Sequence, residues 1–188
     1  MLTEEIKEKN LNLFFKKLSQ LGVETESLEK NYGEFIKNGS FTNTNEFGNA
    51  YSGSLLEIVL KTLTPYAIKI NDILPEESKV EKSTLIKMCL LHQIAKSIRL
   101  IPNDNQWEIE KRKIVYKYNS ELPSIRTGLH SLIMCQNCGI TFTDDEAEVM
   151  TVNDRDLTDD QARWHSSVMA TILRQANELT YLEINEKK

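Results

Sequence analysis

The chain is poor in glycine and proline, seven and four residues in 188, and holds no apolar run near the roughly 20 residues that a membrane-crossing helix needs. The first scarcity excludes a loop-dominated or collagen-like polypeptide. The second excludes a helical membrane span. Cationic residues are not in excess, because 23 Lys and Arg stand against 28 Asp and Glu for a net charge of −5. Broad nucleic-acid binding and adhesion to an anionic membrane are therefore not expected, since both rest on clustered Lys and Arg. Three cysteines, an odd number, do not make a closed disulfide framework and fit reduced thiols. The opening Met-Leu-Thr-Glu-Glu is acidic where a secretory leader is basic. These features lead to the expectation of a cytoplasmic protein.

What is present is 40% hydrophobic and 27% charged residues, the balance of a helix-rich globular chain long enough for one domain with a core. Thr3 reads as an N-cap, followed by Glu4 and Glu5 and by Ile6, Phe14, Leu18 and Leu21 at helical spacing, so a first amphipathic helix is predicted over 3–21. From Tyr32 to Ser54 the composition turns to Gly, Asn, Ser and Thr without a period, which predicts a loose connection. The expected organisation is a helical arm with its connection over 1–50 and a helical body over 51–188. Helices are predicted near 54–73, 80–100, 123–137, 143–154 and 159–185. Pro65 should kink or split the first of these. Capping boxes at Thr143/Glu146 and Thr158/Gln161 mark two starts. Leu85, Ile86, Cys89, Leu90, Ile94 and Ile98 form one apolar stripe, with His92 beside it and so half-buried. Alternation at Trp107 and Ile109 and again over Ile114–Tyr118 predicts a short two-stranded ribbon.

Cys135 and Cys138 form a Cys-x-x-Cys with His130 just upstream, which reads either as part of a zinc site or as a helix end with Cys135 in the core and Gly139 as the stop. Three ligands fall short of the four that a structural zinc site takes, so the helix end is favoured.

The densest chemical signal is Leu90-Leu91-His92-Gln93-Ile94-Ala95-Lys96. It stands in a series: Gly53-Ser54-Leu55-Leu56-Glu57, then this segment, then the Trp107 region, then Gly139-Ile140-Thr141-Phe142-Thr143-Asp144-Asp145-Glu146, then Ala176-Asn177-Glu178-Leu179. From about Gly53 to Glu183 that order resembles the HD-domain phosphohydrolases common in phages and bacteria. The resemblance implies an all-α, HD-domain-like helical bundle with a short β-ribbon insertion, here with an N-terminal helical extension. It also implies a metal site of histidines and aspartates that activates water against a nucleotide phosphoester. At the matching positions this chain carries Ile58, His92, Gln93, Thr127, Asn153 and Asn177. Hydrocarbon and neutral amides do not hold a divalent ion, so neither a metal nor another cofactor is expected.

The expected function is accordingly that of a catalytically inactive binding module for a partner protein or a nucleotide-like ligand, of phage or mobile-element type. His92, Gln93, Lys96, Arg126, Asn153 and Asn177 are the candidate ligand contacts, and a homo-oligomer formed through the N-terminal region is compatible with the reading. Two alternatives stand beside it. One is a residual phosphohydrolase with His92 as acid/base and Lys96 as the phosphate contact. The other is a small zinc module on His130, Cys135 and Cys138. The segment from Pro102 to Asn119, with Trp107, Lys111, Arg112, Tyr116, Lys117 and Tyr118, reads either as a rim that stacks on a base or as a cover with its aromatics inward.

Overall fold

The computed structural model describes residues 2–46, 48–152 and 166–186. The fold is all-α with one small two-stranded sheet. Helix α1 (Glu4–Gln20) starts where Thr3 accepts from the Ile6 N–H, as its N-cap predicts. Helix α2 (Glu26–Asn38) occupies a stretch whose second half the composition assigns to a loop. Leu28 and Ile36 are fully buried there and Tyr32 packs half-buried between them, an i, i+4, i+8 stripe whose packing outweighs Gly33 and the Asn residues. The connection 39–53 is irregular, as expected.

Helix α3 (Ser54–Ile58) continues through a π turn (Val59–Leu63) into α4 (Thr64–Ile73). Pro65 lies in the first turn of α4, and its missing N–H and bulky ring are accommodated by the wider turn before it. Both the backbone N–H and the hydroxyl of Thr64 bond the Val59 carbonyl, the latter at 2.8 Å. Pro65 therefore re-spaces the helix instead of ending it.

Helix α5 (Lys82–Leu91) leads to α6 (Lys96–Arg99), and the single helix predicted over 80–100 is broken between them. The Ala95 N–H is taken by the Ser131 hydroxyl at 3.1 Å, and Ser97 Oγ donates to the Ile94 carbonyl at 2.6 Å. Side chains thus replace the i→i−4 ladder, and the chain passes through tight i→i−3 turns at Ile94, Lys96, Ser97 and Ile98.

Strand β1 (Leu100–Pro102), helix α7 (Gln106–Arg112) and strand β2 (Tyr116–Tyr118) follow. The sheet is antiparallel with Leu100 opposite Tyr118 and Pro102 opposite Tyr116. The predicted ribbon is thus right in its second strand and wrong in its first. Asn105 caps the N–H groups of Trp107 and Glu108, which turns the Trp107 segment into a helix. Trp107 is 61% exposed, so it does not cover the core.

Helix α8 (Thr127–Asn137) ends on Gly139 at φ +84°, with Ile140 N–H returning to the Cys135 carbonyl. Helix α9 (Asp144–Thr151) carries the full Thr143/Glu146 capping box. Helix α10 (Val168–Glu186) closes the fold against α4, the π turn, α5 and α9. The Thr158/Gln161 box and Asn153 lie outside the described residues.

One hydrophobic core serves both halves of the chain. Phe14, Leu18, Leu28 and Ile36 from α1 and α2 join Leu55, Leu63, Leu85, Leu90, Val149 and Leu173 in a single cluster. The first two helices are thus built into the body.

Candidate functional site

The break between α5 and α6 places His92 and Gln93 against α10. His92 is 1% exposed, fully buried where half-burial was expected. Its Nδ1 lies 3.2 Å from the carbonyls of both Met88 and Cys89, so this nitrogen carries the proton and Nε2 is left as an acceptor. Asn177 Nδ2 donates to that Nε2 at 3.0 Å and also to the Leu173 carbonyl. Asn177 Oδ1 then accepts from Gln93 Nε2 at 2.6 Å. Each bond fixes the polarity of the next, and the orientation of both amides follows from two backbone carbonyls. At the end of this series Gln93 Oε1 is buried and has no partner among the described residues.

Burial, and second the charge of Lys96, push the His92 imidazole down to about 4. It is neutral at pH 7, with both nitrogens engaged. Burial also raises the Cys89 and Cys135 thiols.

Gln93, His92 and Asn177 line a cavity of about 680 Å³ between α6, α8, α9 and α10, together with Lys96, Tyr118, Thr127, Met150, Arg174 and Tyr181. A second cavity of about 230 Å³ adjoins it and shares Lys96, Tyr118, Thr127, Tyr181 and Asn185 with the first. The Lys96 ammonium sits 3.9 Å from the centroid of Phe41, which borders only the smaller cavity, and donates to Tyr181 Oη at 2.9 Å.

The structure thus brings His92, Gln93, Lys96 and Asn177 together. Arg126 is exposed at the N-cap of α8 and borders neither cavity; the second cation of the larger cavity is Arg174. Thr127 is in the wall, whereas Ile58 belongs to the hydrophobic core. Of the Pro102–Asn119 segment only Tyr118 reaches the cavities. Arg174, Glu178, Tyr181 and Asn185 were missed, although their spacing with Asn177 marks one polar face of α10 that a helical projection would have exposed. Phe41 and Arg99 gave no such sign, because they enter from a loop and from the far side of the broken helix.

Cys135 and Cys138 are buried and His130 Nδ1 lies 3.4 Å from Arg99 Nη1, so the Cys-x-x-Cys marks the α8 end. Among the described residues no three His, Cys, Asp or Glu side chains come together in a way that would hold a metal ion. No described helix is long and apolar enough to cross a membrane. In comparison with known proteins the chain matches no family model, and neither a curated protein nor a solved structure is found similar to it.

Proposed function

We propose that this chain is a binding module that holds a small nucleotide-like ligand in the larger cavity without hydrolysing it, on a frame related to the HD-domain phosphohydrolases. The observation that carries the reading is the unpaired Gln93 Oε1. A buried acceptor without a donor costs about 1–3 kcal/mol, and its side chain cannot turn to relieve this while Asn177 holds Nε2. A ligand N–H or O–H supplies what is missing. The exocyclic amine of a nucleobase is such a donor, and Tyr118 and Tyr181 in the same wall offer surfaces for its ring.

Two of the amides at the positions of the family's metal ligands, Gln93 and Asn177, are bonded to each other, and Asn177 to His92, which favours a rebuilt binding surface over a weakened metal centre. A metal-free hydrolase is disfavoured because His92 has its proton locked onto two carbonyls and its basic nitrogen filled by Asn177, far from the near-neutral acid/base such catalysis uses.

The test is thermal unfolding with each of the four nucleosides and their 5′-monophosphates. Native-state binding raises Tm, and the rise should shrink in Gln93→Leu. Elemental analysis of the purified protein should give well under one equivalent of transition metal. A stoichiometric metal that disappears in His92→Ala would restore the hydrolase reading. If no nucleoside or nucleotide raises Tm, the remaining role is that of a scaffold for a protein partner.

A further inference from the structure

The smaller cavity has a chemistry of its own. Its wall is Phe41, Thr42, Asn43, Thr44 and Asn49 from the 39–53 connection, Lys96 and Arg99 from α6, and Tyr181 and Asn185 from α10, with Leu100, Tyr118 and Thr127 between them. No carboxylate is among these residues, in a chain where acids outnumber bases 28 to 23. The ion pairs of the described residues engage Lys7, Lys37, Lys61, Lys79, Lys82, Lys87, Arg112 and Lys117, and neither Lys96 nor Arg99. Among the described residues, two cations therefore line one partly enclosed space without a counter-charge.

The donors there are also incompletely used. Among the described residues Arg99 Nε is buried without a partner, and the Nη1 of the same guanidinium lies 3.5 Å from the Pro123 carbonyl and 3.4 Å from His130 Nδ1. Lys96 donates to Tyr181 Oη and otherwise faces the ring of Phe41. Because that tyrosine oxygen accepts from Lys96, its own proton is directed elsewhere. Asn49 Nδ2 donates to Asn185 Oδ1, which turns the Asn185 amide so that its NH₂ is the outward end. Arg99 thus lines the smaller cavity and Gln93 the larger one, with Lys96 in the wall of both.

We propose that the smaller cavity is an anion subsite for a phosphomonoester, held by Arg99 and Lys96 with Tyr181 and Asn185 as further donors. This rests on the reading of the larger cavity as the place where the rest of the ligand lies. A volume of about 230 Å³ corresponds to roughly eight waters, room for a tetrahedral oxyanion with part of its hydration. A guanidinium edge and an ammonium suit a dianion with several acceptor oxygens better than a single carboxylate. The ligand class is then a nucleoside monophosphate, its base amine on Gln93 and its phosphate on Arg99.

Calorimetric titration of the full chain at constant ionic strength separates the two parts. The probes are sodium phosphate, sodium acetate, the four nucleosides and their 5′-monophosphates. Phosphate should bind and acetate should not, and at least one monophosphate should bind about tenfold or more tighter than its nucleoside. Arg99→Gln should remove that increment without weakening the nucleoside, because Arg99 does not line the larger cavity; Arg99→Lys should retain part of it. If monophosphates bind no tighter than nucleosides, or acetate equals phosphate, or phosphate affinity survives Arg99→Gln, the subsite is refuted while nucleoside binding leaves the larger cavity's role intact. If phosphate binds through Arg99 but no nucleoside binds, the subsite stands and the larger cavity's role falls. Should Arg99→Gln not fold, Arg174→Gln decides: it should leave the monophosphate increment in place, and loss of the increment there puts the phosphate in the larger cavity and refutes the subsite.

Discussion

At the residue scale the centre of the molecule is a neutral histidine whose environment refuses a proton. His92 has an ordinary value of 6.5 and is lowered to about 4 by burial and by Lys96. Between those values the unfolded chain binds a proton there that the folded chain does not, so the folded state loses stability as pH falls from 6.5 toward 4. The contribution is fully present above 6.5. Its size is of order 3 kcal/mol for a group so completely enclosed. Denaturant titrations of wild type and His92→Gln at a series of pH values should show their difference constant above 6.5 and shifting in favour of the variant below it. A difference that is flat down to pH 4 would mean that His92 is not held neutral. The same residue shows how far the sequence could be read: the position and its isolation from carboxylates were legible, but its burial was underestimated. His92 continues α5 with its N–H on the Met88 carbonyl, on the face of Leu85 and Cys89, and α10 covers it through Asn177, a partner 85 residues away.

At the scale of elements, capping chemistry was the most legible signal and long-range competition the least. Thr3, the Thr143/Glu146 box and the Gly139 stop all rest on bonds within a few residues, so local sequence contains both partners. The break before α6 depends on Ser131, 36 residues from Ala95, and no window of sequence contains both. Gly39 is a comparable junction at the end of α2. Its carbonyl accepts from Gly53 and Leu55, and a Cβ there would stand 2.9 Å from Leu55 Cδ2 and 3.1 Å from the Ser97 backbone. Gly39→Ala should therefore destabilise by about 1–3 kcal/mol, through overpacking where the Ser97 backbone gives no room, measured by urea denaturation. Gly22→Ala has open space at its Cβ and a positive φ of 74°, so it reports backbone strain alone and is the natural comparison.

At the scale of the whole molecule, the shared core makes the first two helices part of the folding unit. Removing residues 2–38 would uncover Leu55, Leu56, Leu85 and their neighbours, and the shortened chain should lack a cooperative unfolding transition. Leu90→Ala in the full chain should retain one transition with a loss of about 2–5 kcal/mol, as for a leucine that is 1% exposed. A truncated protein that unfolds cooperatively would return the N-terminal region to the status of a separate arm.

The sequence by itself determined the helical class, the starts of α1, α3 and α9 and the stop of α8, the second strand of the small sheet, and the presence of neutral groups where the resembled family has metal ligands. Periodicity, caps and residue type are local properties, and each acts through neighbours a few positions away. The tertiary structure alone decided the polarity of the Gln93 and Asn177 amides, the unpaired oxygen of Gln93, the place of Lys96 over Phe41, and the placing of Lys96 and Arg99 in the wall of a space that no described carboxylate lines. Those depend on which side chains from four separate elements arrive at one point and on the direction each hydrogen bond must take once two backbone carbonyls have claimed the proton of His92.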